Sequence, residues 1–148
     1  MEGVSSHLLR VENVLSKESD RKTASAELCY SVIHQYFETL NAGDFQTTAR
    51  LFIAQGKLYP PFEGAIVGQE AIAAYLEKEA KGITALAQES IAEAAETDDT
   101  QVKVTGTVQT SLFTVNASWH FVLNSQTEIV SVRLQLLAGL GELLSLKR

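Results

Sequence analysis

The sequence is short of the residues that build covalent or metal-bound scaffolds. Its 148 residues include one cysteine, Cys29, which excludes an internal disulfide and any site made from several cysteines. No stretch approaches the roughly 18 consecutive apolar residues of a membrane-spanning helix. The N-terminus lacks the basic start and apolar run of a signal peptide. We therefore expect a cytoplasmic protein.

Basic residues are in the minority, because 12 Lys and Arg stand against 18 Asp and Glu for a net charge of −6. Nucleic acids and anionic membranes need clustered cations, so this balance argues against both as permanent partners. The three histidines, His7, His34 and His120, are scattered and have no carboxylate at ligand spacing. The sequence also lacks a phosphate-binding glycine loop and a nucleophile elbow. We expect no metal site.

Helical spacing of apolar residues marks the first half of the chain. Residues 1–24 form an N-terminal extension in which Val4 to Leu15 predict a short amphipathic helix, either loosely attached or packed on its own domain or a partner subunit. From Ala26 to Leu40 the apolar positions follow one face of a long helix: Cys29, Val32, Ile33, Tyr36, Phe37 and Leu40. Asp44 through Phe52 predicts a second short helix, and Gln69 to Lys81 a third.

After Gly82 the apolar period changes from near 3.6 residues to two. Residues 101–112, 115–123 and 129–137 alternate apolar and polar positions, and a weaker strand is predicted near residues 84–94. Helices followed by strands predict an α+β domain, in which helices cover one face of an antiparallel sheet.

General acid–base catalysis is the enzymatic alternative, since related folds hold a pocket carboxylate or histidine. The strands predicted over residues 101–112, 115–123 and 129–137 contain no Asp or Glu. A base would have to come from a helix or loop, with Asp44 and Glu63 the first candidates. We expect that the protein is not an enzyme. A dimerisation domain with a filled core and no ligand is a further alternative.

Two aromatic residues with polar atoms fall on faces predicted to be buried. Tyr36 lies in the apolar stripe of the long helix, and Trp119 lies on the apolar face of a strand. A buried donor left unpaired costs about 1–3 kcal/mol. Each residue therefore donates either to a backbone carbonyl in the core or to a ligand oxygen, and one carbonyl could accept from both.

Several segments, in order and with similar spacing, resemble the C-terminal domain of the orange carotenoid protein family. They are Asn41-Ala-Gly-Asp-Phe45, Pro60-Pro-Phe62, Ile66-Val-Gly68, Val102-Lys-Val-Thr-Gly106, Val108-Gln-Thr110, Trp119, Leu136-Leu-Ala138 and Glu142-Leu-Leu144. The resemblance implies an NTF2-like cone over residues 25–148, with a curved antiparallel β-sheet and helices covering one face. It implies a stand-alone homologue of that domain.

The resemblance also implies a ketocarotenoid ligand, canthaxanthin or echinenone, whose ring keto oxygen accepts hydrogen bonds from Tyr36 and Trp119. The cavity walls are then expected at Leu40, Ile83, Leu86, Val104, Val108, Leu112, Phe113, Leu134 and Leu136. Further implications are a homodimer when loaded, carotenoid uptake from membranes, and transfer to helical carotenoid proteins or the apo orange carotenoid protein. Photoprotection by singlet oxygen quenching belongs to the same expectation.

The C-terminal tail, residues 139–148, resembles the family segment that lies over an empty pocket. Its apolar contacts would be Leu140, Leu143, Leu144 and Leu146. The sequence departs from the family in three places. Thr110-Ser-Leu-Phe113 lacks a second pocket Trp, Gly139-Leu140 replaces a Ser-Pro pair and should loosen the gate, and no cysteine lies near Ala80. A redox-controlled dimer is therefore not expected, and Cys29 is expected to be a buried thiol.

Overall fold

The computed structural model describes residues 26–93 and 98–137. Within these ranges helix α1 covers residues 26–42, α2 covers Phe45–Arg50 and α3 covers Gln69–Glu79. The strands are β1 (Phe52–Tyr59), β2 (Ile66–Val67), β3 (Thr84–Glu93), β4 (Thr100–Gln109), β5 (Thr114–Leu123) and β6 (Ile129–Leu136). The predicted N-terminal helix and the C-terminal gate lie outside the described residues. None of the described helices is long and apolar enough to cross a bilayer.

The six described strands form one curved sheet in the order β2-β1-β6-β5-β4-β3. Strands β3 to β6 pair antiparallel with their neighbours in sequence, as predicted. Strand β1, however, runs parallel to β6, so the sheet is mixed where a purely antiparallel one was expected. The two strands are brought together only after α3 and the β3–β5 meander, and a pairing at such sequence distance leaves no local pattern.

The segment after α1 also differs from its prediction. Helix α2 ends at Arg50, and Phe52 begins β1, although a helix through Phe52 was expected. The register of β1 against β6 shifts between Phe52 and Lys57. Such an irregularity interrupts the period of two on which a strand prediction depends. Strand β1 was therefore missed.

Helix α1 packs on the sheet through the face that its periodicity predicted. Cys29, Ile33, Tyr36, Phe37 and Leu40 are buried. The C-terminal end of α1 is tied to β3 by Asn41, whose side-chain amide donates to the Ala85 carbonyl at 2.8 Å and accepts from the Ala85 N–H at 2.8 Å. This double hydrogen bond fixes the helix end over the sheet.

Strand β3 crosses β4 very closely at Gly106. The β3–β4 register shifts between Ala87 and Glu89, and a Cβ atom at position 106 would overlap the carbonyl oxygen of Leu86. Since the obstructing atom belongs to the backbone of the neighbouring strand, it cannot rotate away. Glycine at this position therefore permits the local curvature of the sheet.

We expect Gly106→Ala to lower the free energy of unfolding by about 1–3 kcal/mol, the usual cost of overpacking. Urea denaturation measures the loss. Gly64→Ala is the matched control, because a Cβ there meets nothing within 4 Å. Equal stabilities of the two variants would contradict the assignment of a steric role to Gly106.

Candidate ligand-binding site

An apolar cavity of about 250 Å³ lies between the helices and the sheet. Helices α1 and α3 form one side, strands β4, β5 and β6 form the other, and the end of β1 closes it laterally. The lining residues are Tyr36, Leu40, Leu58, Pro60, Pro61, Tyr75, Leu76, Glu79, Ala80, Ile83, Ala85, Val108, Thr110, Phe113, Val115, Trp119, Leu134 and Leu136. The space suits an apolar group that presents a hydrogen-bond acceptor.

Tyr36 reaches the cavity from α1, with its ring held by aromatic neighbours. Its ring lies edge-to-face on Phe121 at 5.1 Å between centroids and on Phe37 at 5.4 Å. Burial raises the pKa of Tyr36 above its ordinary value, and no charge or hydrogen bond contributes to that shift. The hydroxyl therefore keeps its proton at physiological pH and acts as a donor.

Trp119 reaches the same cavity from β5, on the opposite side. Its indole packs edge-to-face on Phe37 with 4.9 Å between ring centroids, and the residue is only 1% exposed. An indole N–H is a donor and never an acceptor. In the described residues no fully enclosed side-chain nitrogen or oxygen lacks a partner. One helix donor and one strand donor thus line a single apolar cavity, as the sequence predicted that they would converge.

Six of the nine predicted wall residues line this cavity: Leu40, Ile83, Val108, Phe113, Leu134 and Leu136. Three lie elsewhere. Val104 is fully buried beside Trp119 as its cross-strand neighbour. Leu86 is 41% exposed on the edge strand, and Leu112 is 86% exposed in the β4–β5 turn. Alternation identifies which face a side chain is on, but it does not say how far along the strand the cavity extends.

Other lining residues were not singled out in the sequence. Leu76 and Ala80 lie four residues apart on α3 and face the same space. Leu58, Pro60 and Pro61 close the cavity at the end of β1. The helical spacing on α3 was a usable signal, whereas β1 had none because the strand itself was not recognised.

The two carboxylates proposed as catalytic bases are engaged outside the cavity lining. Asp44 caps α2, accepting from the Thr47 N–H at 3.4 Å and from its hydroxyl at 2.7 Å. Glu63 accepts from the Tyr75 hydroxyl at 3.2 Å, and burial followed by this contact raises the pKa of Tyr75 to about 12. In residues 26–93 and 98–137 no group of side chains is suited to hold a metal ion.

The family model of the nuclear transport factor 2 (NTF2) domain matches residues 28–130. The chain therefore belongs to the NTF2 domain family, which confirms the predicted α+β NTF2-like fold. An epoxide hydrolase/cyclase-like enzyme of pyran ring formation in the polyether salinomycin has a TM-score of 0.61 at 17% identity, with 79% of this chain and 95% of that chain covered. At that identity the likeness concerns the fold alone.

Within this family the chain is similar to the C-terminal region of orange carotenoid proteins, as its sequence segments predicted. The orange carotenoid-binding protein of Synechocystis sp. is 38% identical over 122 residues, which cover 80% of this chain and 38% of the relative. The solved orange carotenoid protein of Anabaena (Nostoc) sp. binding canthaxanthin has a TM-score of 0.70 at 40% identity and covers 78% of this chain and 38% of its own. The chain thus spans less than half the length of these relatives.

Burial of Tyr36 predicts a loss of stability in alkali. Because its pKa is raised above 10.0 only in the folded protein, the unfolded chain releases this proton first. The contribution to stability is complete below pH 10 and is lost as the pH rises further. Urea denaturation above that pH should show a steeper decline for the wild type than for Tyr36→Phe. Tyr30→Phe, at a half-exposed position on the same helix, should keep the wild-type slope. An unchanged slope in Tyr36→Phe would contradict this assignment.

Proposed function

We propose that the protein binds a ketocarotenoid, with one end ring in the cavity and the ring keto oxygen accepting hydrogen bonds from Tyr36 and Trp119. The observation that carries the proposal is that these two donors, from α1 and β5, line the same apolar cavity. A keto oxygen has two lone pairs and accepts from both. The similarity to an orange carotenoid protein that binds canthaxanthin supports the same ligand class.

The size of the cavity indicates how much of the ligand it holds. A site that encloses a drug-sized ligand occupies about 300–1,000 Å³, whereas this cavity has about 250 Å³. It accommodates an end ring and leaves the polyene outside. Insertion of the ring is driven by removal of apolar surface from water, at about 25 cal/mol per Å². The two donors then set its depth and favour keto rings over hydrocarbon rings.

The protruding polyene leads to the remaining parts of the proposal. A second copy would cover it, giving a homodimer around one pigment in the loaded state. In this proposal the protein is cytoplasmic, takes canthaxanthin or echinenone from membranes and passes it to helical carotenoid proteins or the apo orange carotenoid protein. Quenching of singlet oxygen is the photoprotective role. It acts as a carrier and not as an enzyme, a view supported by the positions of Asp44 and Glu63 outside the cavity.

The two hydrogen bonds predict selectivity for keto rings. A net contribution of about 0.5–1.5 kcal/mol for each bond corresponds to a preference for canthaxanthin over β-carotene of about 5- to 150-fold. Competition for limiting protein, read from the absorption of the bound pigment, measures this ratio. The double variant Tyr36→Phe with Trp119→Phe should bind both pigments with similar affinity.

Tyr59→Phe is the control for this experiment, because its ring packs against the Arg133 guanidinium at 4.1 Å and is not part of the cavity lining. It should keep the wild-type preference. A double variant that also keeps it would remove the assigned role of Tyr36 and Trp119. Colourless protein from a canthaxanthin-producing host would overturn carotenoid binding altogether.

A further inference from the structure

A second depression, of about 570 Å³, lies between α1 and β3. We call it the α1–β3 groove. Its walls include Tyr30, Ile33 and Phe37 from the helix and Ala87 and Ser90 from the strand. The apolar side chains of the helix and the small side chains of the strand give it a floor on which another element could pack closely.

The strand side of this groove has the character of an unfinished core. Ala87, Ser90 and Ala92 pair across the sheet with Gly106, Val104 and Val102. The β4 partners are buried, yet the three β3 residues on the same face are exposed. The described helices thus stop short of β3, which is the edge strand of the described sheet. Proteins commonly cover long edge strands with a helix or a loop.

We propose that residues 4–15 of this chain occupy the α1–β3 groove as an amphipathic helix antiparallel to α1. Val4, Leu8, Val11 and Leu15 follow one another at i, i+4, i+7 and i+11, which places them in one stripe. This stripe packs on the apolar wall of α1 and on the small side chains of β3. Helices pack at about 8–10 Å between axes, and small side chains allow the closer end of that range.

Chain length and connection favour this segment. Residues 1–25 directly precede α1, and Tyr30 at the groove lies about one turn into the helix. Residues 16–25 span up to about 33 Å when extended, which is ample for the chain to reverse. A helix over residues 4–15 is about 18 Å long, and the stretch of α1 from Tyr30 to Asn41 along the groove is about 16 Å.

The C-terminal residues fit the groove less well. They follow β6, which is separated from β3 by β5 and β4, a distance of about 14 Å across the sheet. A tail from β6 reaches the cavity between α1 and β5 before it reaches the groove. The N-terminal segment is therefore the occupant that the connectivity selects.

Hydrogen–deuterium exchange of the full chain tests the proposal. Two acidic residues on the apolar stripe, Leu8→Asp with Val11→Asp, should release the segment and speed exchange of the peptide that covers β3 by about tenfold. The matched control, Ser6→Asp with Asn13→Asp, places the same charges on the opposite side of the helix and should exchange like the wild type. The segment lies outside the described fold, so the stripe variant should unfold at nearly the same urea concentration as the control.

Equal exchange at β3 in the stripe variant and the control would overturn the proposal. Measurement at two protein concentrations separates a second copy from the chain's own segment. Protection of β3 that is independent of concentration supports docking within one chain. Protection that disappears on dilution, together with a smaller mass in solution, would show that a second copy covers the groove and would overturn the proposal.

Discussion

The contact between Phe37 and Trp119 determines how helix α1 lies on the sheet. Their rings meet edge-to-face at 4.9 Å, and Phe37 also packs against Tyr36 and Phe121. Such aromatic pairs contribute about 0.5–1.5 kcal/mol beyond the surface they bury. Because Tyr36 is adjacent to Phe37 in the chain, seating Phe37 on Trp119 also directs the tyrosine to the cavity. One packing contact therefore positions both hydrogen-bond donors.

The rest of the fold holds this contact in place while leaving space beside it. Asn41 ties the end of α1 to the β3 backbone, and Gly106 lets β3 curve closely over β4. Below the aromatic cluster, Phe121, Ile129 and Val132 are completely buried. The cavity beside them is lined by the same kinds of side chain but remains open. A filled dimerisation core, one of the alternatives raised by the sequence, would not leave such a space.

Local periodicity predicted the parts of the fold that obey it. The α1 stripe and the alternation in β4, β5 and β6 were enough to place Tyr36 and Trp119 on facing surfaces. Strand β1 was missed because its register is irregular around Gly56 and its parallel partner β6 is distant in sequence. Leu86 and Leu112 were assigned to the cavity although both are exposed, because the pattern does not show where along the sheet the helices end. Tyr75 and the Pro60-Pro61 pair depend on how loops close the cavity, which no local pattern encodes.

The central claim is that the Trp119 indole donates a hydrogen bond to a ligand in the cavity. Trp119 is the single tryptophan of the chain, so ¹⁵N-labelled protein gives one indole N–H resonance that needs no mutagenic assignment. Loading with canthaxanthin should move this proton resonance downfield, as expected when an indole N–H donates to a keto oxygen, and loading with β-carotene should not. A resonance at the same position in the free and the canthaxanthin-loaded protein would contradict the claim.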